Sequence, residues 1–110
     1  MINLQAVNVG PIVGETTPNR VRLWGRGSYS GSPMIFVHGV ARVLKDNNEL
    51  HTVFFKMTAT WDYTGVGIFE GLAPNTEYEY QLAYFYHPAD TSDLANFNLE
   101  FDWDKQPTYK

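Results

Sequence analysis

Glu77-Tyr78-Glu79-Tyr80-Gln81-Leu82-Ala83-Tyr84-Phe85-Tyr86 alternates along its length. Tyr78, Tyr80, Leu82, Tyr84 and Tyr86 fall on one side of an extended chain, and Glu77, Glu79, Gln81, Ala83 and Phe85 on the other. A helix would scatter the tyrosines around its circumference, whereas a strand gathers them on one face. The aromatic content suits a pleated, half-buried surface. The stretch therefore reads as a strand, and the rest of the chain follows from it.

Upstream, period-two patterns recur between short turn signals, which marks a sandwich or small barrel. Gln5 to Val13 reads as a first strand broken at Gly10-Pro11. Proline donates nothing to a ladder, so this strand sits at an edge or switches sheets there. Thr16-Thr17-Pro18-Asn19 makes a turn into a second strand, Arg20 to Arg26, with Val21 and Leu23 on one face. After a polar loop from Ser28 to Pro33, Met34 to Leu44 is apolar almost throughout, as in a strand buried on both faces or bulged at Gly39. Lys45-Asp46-Asn47-Asn48-Glu49 is a hairpin turn, since Asp and Asn tolerate positive φ. Leu50 to Thr58 returns, and Thr64 to Glu70 follows, loosened by Gly65 and Gly67. Downstream, His87 to Ala95 reads as a loop in which Asp90 to Leu94 has the length of one helical turn. A last strand runs near Phe97 to Trp103.

The expected fold is thus all-β, an immunoglobulin-like sandwich of about seven antiparallel strands. The 110 residues fit one domain spanning 1–110. A hydrophobic fraction of 44% is enough for a core, and 18% charged residues exclude the disordered class. The net charge of −4, with eight Lys and Arg spread along the sequence, argues against a nucleic-acid partner. Without cysteine, disulfides, thiol chemistry and Cys-ligated zinc are excluded. Met1-Ile2-Asn3-Leu4 does not open a signal peptide, and no stretch reaches membrane-spanning length, so no membrane partner is expected.

Gly71-Leu72-Ala73-Pro74-Asn75-Thr76-Glu77-Tyr78 resembles the tyrosine corner of fibronectin type III domains, Leu-x-Pro-x-Thr-x-Tyr. Leu72 would plug the end of the core, Pro74 and Asn75 would turn the chain, Thr76 completes the pattern, and Tyr78 would bury its ring and send its hydroxyl to an upstream backbone group. A second segment, Val9 to Arg26, is similar to the opening of alkaline phosphatase D-like proteins: Gly10, Gly14, Glu15, Thr17, Pro18, Leu23, Trp24 and Arg26 match its pattern. In that family a small sandwich precedes a metal-dependent phosphoesterase domain. The resemblance implies a fibronectin type III-like accessory domain whose partner is a catalytic domain downstream in the same polypeptide. The metal ions would belong to that domain. Gly-Asp-x-x and Gly-Asn-His motifs do not occur here, so no catalytic residue, cofactor or metal ligand carries over.

The remaining candidates are few. His38, His51 and His87 are scattered, and Glu49-Leu50-His51 sets two potential ligands on one strand face or at a solvated hairpin mouth. Asp90, Asp93, Asp102 and Asp104 lack the spacing of a calcium loop. Gly65-Val66-Gly67-Ile68-Phe69-Glu70-Gly71 is not a nucleotide loop, because the spacing is wrong and no helix follows. Its glycines fit a bulge or a close backbone approach. No Gly-x-Ser-x-Gly occurs.

In a regular strand, Trp24 shares a face with Arg22 and Arg26, opposite Val21 and Leu23. That trio is either a docking face, or a bulge turns Trp24 into the core. The alternative function is a free-standing module that binds protein or carbohydrate through the loop aromatics Tyr29, Trp61, Tyr63 and Tyr109. An independent enzyme is the third.

Overall fold

The computed structural model describes residues 2–7, 9–17, 20–29, 35–46, 48–58, 63–72, 78–96 and 99–103. The main strands are β3 (Val9–Thr17), β4 (Arg20–Arg26), β5 (Phe36–Lys45), β6 (Asn48–Met57), β7 (Thr64–Phe69) and β8 (Glu79–His87). Short strands β1 (Ile2–Asn3) and β2 (Gln5–Ala6) precede them, and a 3₁₀ turn (Thr91–Asn96) and β9 (Phe101–Asp102) follow. A three-stranded sheet has the order β3-β4-β7, and a four-stranded sheet the order β2-β8-β5-β6, all antiparallel.

The two sheets share one core. Val21 and Leu23 of β4 and Phe69 of β7 meet Ala41 and Val43 of β5 and Tyr80 and Leu82 of β8, with Leu72 closing one end. The expected all-β sandwich architecture is present. Its first strand is two strands: β2 pairs with β8 and β3 with β4, so the sheet switch lies between Ala6 and Val9. Gly10-Pro11 falls instead in an irregularity of β3. The ladder with β4 slips between Val9 and Ile12 and again between Val13 and Thr16, each time with one extra residue on β3. Proline and glycine are tolerated there because a bulged residue on an edge strand has no ladder bond to lose.

β5 is buried along most of its length, and both its faces are covered. Val37, Ala41 and Val43 point into the sandwich. Val40 faces the other way, into a second cluster with Ala83, Phe85, Leu4, Leu94 and Trp103. The covering layer over the outer face of the four-stranded sheet is built from Leu4, Leu94 and Trp103, with Ala89, Leu99 and Phe101 packed beside them. Of the expected last strand near Phe97 to Trp103, residues 97 and 98 lie outside the described residues, and among 99–103 a short strand forms at Phe101–Asp102, which pairs parallel with β1 rather than extending the main sheet. The edge of β8 is taken by β2.

Polar clasps hold this layer down. His38 Nδ1 lies 2.8 Å from Thr91 Oγ1. Arg42 Nε donates to Gln81 Oε1 at 2.6 Å, and its guanidinium stacks 4.6 Å from the Trp103 ring. Gln81 Nε2 reaches the Trp103 carbonyl at 3.4 Å. Of the two readings of β5, burial on both faces holds and the bulge at Gly39 is absent. The β5–β6 register is unbroken there and shifts only between Val43 and Leu44, beside the hairpin. At the hairpin tip Asp46 adopts φ 53°, as a two-residue connection requires.

Candidate functional site

The histidines do not converge. His38 is fully buried against Phe85, with ring centroids 5.3 Å apart, and Nε2 has no hydrogen-bond partner. Burial lowers its pKa below 6.5, opposed by the backbone of His87 and Ala89. His87 stands 6.4 Å from His38 between ring centroids, but its Nδ1 accepts from the Ala89 amide at 3.0 Å, which fixes it as a loop staple. His51 pairs with Val43, which faces the sandwich, and Glu49 with Leu44, which does not. The bulge thus sends Glu49 and His51 to opposite faces, and both are exposed, which leaves the solvated hairpin mouth of the two readings. Glu49 lies 3.5 Å from Arg42 instead. Among the described residues no three His, Cys, Asp or Glu are placed to hold a metal ion.

Of the tyrosine-corner residues, Leu72 is buried, and Tyr78 packs half-buried against the same cluster. Pro74 and Thr76 lie outside the described residues, as do Trp61, Asp104 and Tyr109. Tyr80, two residues further on, is buried in that cluster, and its phenol is pushed up by burial and then by Tyr78.

Arg22, Trp24 and Arg26 are brought together. β4 runs in strict alternation, with Val21, Leu23, Gly25 buried and Arg20, Arg22, Trp24, Arg26 half-exposed. Its ladder with β7 is continuous from Val21↔Phe69 to Arg26↔Thr64. No bulge interrupts β4, so Trp24 lies on the outer face, not in the core. Residues directly opposite in a ladder share a face. Arg22, Trp24 and Arg26 therefore stand beside Ile68, Val66 and Thr64. The centre of the patch is apolar, with Ile68 exposed at 37%. The sequence reading missed Arg20 and the β7 partners. Arg20 was legible as one more step of the same alternation. Val66 and Ile68 were not, because pairing between distant strands leaves no local mark. The basic residues are also less dispersed than their sequence positions imply: folding puts Arg20, Arg22 and Arg26 on one face, leaving only Arg42 of the four arginines elsewhere.

A second group lies at the end of the sandwich where β4 exits. Tyr29 stacks 4.9 Å from Tyr86 between centroids, and Tyr86 Oη donates to the Ser28 carbonyl at 2.8 Å. Tyr84, Tyr63 and Tyr29 belong to one cluster with Val37 and Met57. Tyr63 is held at φ 57°, uncommon for an aromatic residue. Its carbonyl accepts from the Gly27 amide at 3.0 Å, tying the start of β7 to the end of β4. Of the four loop aromatics expected to form a binding surface, Tyr29 and Tyr63 do come together, but largely as packing. No helix among the described residues is long and apolar enough to cross a membrane. The chain matches no protein-family model, and neither the curated proteins nor the solved structures contain a match.

Proposed function

We propose that this chain is a non-catalytic accessory sandwich of the fibronectin type III kind. It packs on a metal-dependent phosphoesterase domain of the same polypeptide and supports it, through the outer face of the three-stranded sheet. Two sequence segments in the right order support the family part of this reading. The docking part rests on one observation: Arg22, Trp24 and Arg26 stand together on an outward face, while the outer face of the other sheet is covered by the chain's own Leu94, Phe101 and Trp103. Trp and Arg are the residue types that most often anchor interfaces. The metal ions and the chemistry belong to the partner domain.

The coding sequence beyond Lys110 provides the test. A phosphoesterase domain there, whose association with this chain in trans weakens on Trp24→Ala, is the expected result. A stop codon at that point sinks the proposal. In that event the second reading, a free-standing protein- or carbohydrate-binding module, takes its place.

A further inference from the structure

Two histidines hold the same short stretch of chain, residues 89–91, which leads from β8 into the 3₁₀ turn. His87 Nδ1 accepts from the Ala89 amide at 3.0 Å. Two residues on, Thr91 Oγ1 lies 2.8 Å from His38 Nδ1. The two rings stand 6.4 Å apart between centroids, on the outer face of the four-stranded sheet. That turn carries Leu94, which packs on Val40 and Phe85 of the same face.

Both contacts belong to uncharged rings. On His87 the nitrogen that accepts is the one a second proton would fill. An imidazolium has two N–H donors and no lone pair, so the Ala89 amide would then face a donor. On His38 the other nitrogen, Nε2, is buried without a partner. Whichever nitrogen carries the proton in the neutral ring, a second proton leaves a buried charged ring with one N–H unpaired, which is costly. Among the described residues, the groups around His38 are His87 from β8, Lys56 opposite it on β6, and Asp90 and Thr91 from the covering segment. Asp90 and the backbone of His87 and Ala89 favour a charge on the ring, His87 opposes it, and burial outweighs them. His38 cannot move to relieve that cost, because β5 is paired with β6 on one side and β8 on the other. The segment over it can. Its ion pair, Asp90 with Lys56 at 3.3 Å, is open to solvent and weak.

We propose that His38 and His87 form an acid-sensitive latch: protonation of the pair loosens residues 89–91 and shifts the turn Thr91–Asn96 toward a lifted state that uncovers Val40 and Phe85. The core between the sheets involves neither histidine and stays folded. Leu94 resists the opening, so the latch sets the population of the lifted state rather than an all-or-none change. Histidine is the side chain whose charge changes in the mildly acidic range, which makes such a pair a sensor of it. The latch depends on neither the docking face nor a downstream domain.

Hydrogen exchange of the whole chain, read by mass spectrometry and corrected for the intrinsic pH dependence of amides, tests the latch at about pH 7.5 and about pH 5, on either side of histidine's ordinary value. Protection of the segment 88–96 should fall in acid by on the order of tenfold or more, while β4 and β5 keep theirs and apolar dye binding rises reversibly. His87→Asn keeps an acceptor for the Ala89 amide, since an Asn side chain bonds the backbone two residues on, and it does not titrate. Combined with His38→Phe, it should leave the segment equally protected at both pH values. If the double variant does not fold, His87→Asn alone should show a smaller acid loss than the unaltered chain. Equal protection at both pH values in the unaltered chain overturns the latch. A parallel loss across β4 and β5 does so too, because it marks global unfolding. An undiminished acid loss in the histidine variants assigns the opening to other groups and has the same consequence.

Discussion

Gly39 and Phe55 face each other across the β5–β6 ladder, and the Phe55 ring occupies the space that a side chain at Gly39 would need. The same ring covers Gly65, where an added Cβ would come within 2.5 Å of it, and Gly67, where the approach would be 3.0 Å. A bulky ring from β6 thus fills a slot between glycines on both sheets, and the sheets approach closely at that point. The glycines that loosen these strands in sequence are the ones that allow this contact.

Gly39→Ala should therefore destabilise the fold by about 1–3 kcal/mol, the usual cost of overpacking a filled core position. Phe55→Leu, which shortens the intruding side chain, should recover part of that loss in the double variant. Urea unfolding of the two single variants and the double gives the coupling. Strictly additive losses would show that the ring does not fill the Gly39 site.

Stability should fall with pH because of His38. Its imidazole is buried and its pKa lowered below 6.5, with burial as the main cause. Below pH 6.5 the unfolded chain takes up the proton and the folded one does not, so protonation favours unfolding. The contribution is fully present above 6.5, declines as pH falls, and levels off once the folded-state pKa is passed. The groups facing the ring are Thr91, His87 and Asp90, and Asp90 is itself 3.3 Å from Lys56. Melting temperatures between pH 8 and pH 5 should show this slope, and His38→Phe should flatten it. An equal slope in the variant would assign the effect to other groups.

The layer over the four-stranded sheet makes a separate prediction. Leu94 is buried at 1% exposure on the outer face of that sheet, beside Phe85 and Trp103. Leu94→Ala should cost about 2–5 kcal/mol, the range for emptying a core leucine site. If the layer opens rather than adapts, apolar dye binding should rise while the β-sheet circular dichroism stays. A shift in urea midpoint corresponding to less than about 1 kcal/mol would mean that the turn at Thr91–Asn96 does not seal the sheet.

The burial of β5 on both faces was legible in the near-continuous apolar run of Met34 to Leu44. What covers it was not. Leu94 and Trp103 lie far along the chain, in a stretch whose local pattern is that of a loop. Their role comes from tertiary packing, with Arg42, Gln81 and His38 supplying the polar clasps. The edge position of β3 was legible because Gly10-Pro11 interrupts a ladder by its own chemistry. The switch to β2 at the edge of β8 could not, since Gln5 and Ala6 are two exposed residues with no pattern of their own. For the candidate site the alternation of β4 was sufficient to group Arg22, Trp24 and Arg26. Whether a bulge turned Trp24 inward depended on the β7 ladder, which the β4 sequence does not encode.

Leu23 and Trp24 are neighbours with opposite fates, and comparing them tests the docking face. Leu23 has no solvent exposure and lies in the core between the sheets, whereas Trp24 sits on the outer face between Arg22 and Arg26. In most cores the larger residue would cost more to remove. Here Leu23→Ala should cost about 2–5 kcal/mol, from lost burial and the cavity left behind. Trp24→Ala should cost less than about 1 kcal/mol in the isolated chain, in line with surface positions away from caps and buried networks. The order is inverted because removal of an outward side chain leaves no cavity, and water takes its place against Val66. Urea unfolding of both variants, followed by circular dichroism rather than by the fluorescence that Trp24 shares with Trp61 and Trp103, gives the two values directly. A larger loss for Trp24→Ala than for Leu23→Ala would place the indole in the core and remove the docking face with it.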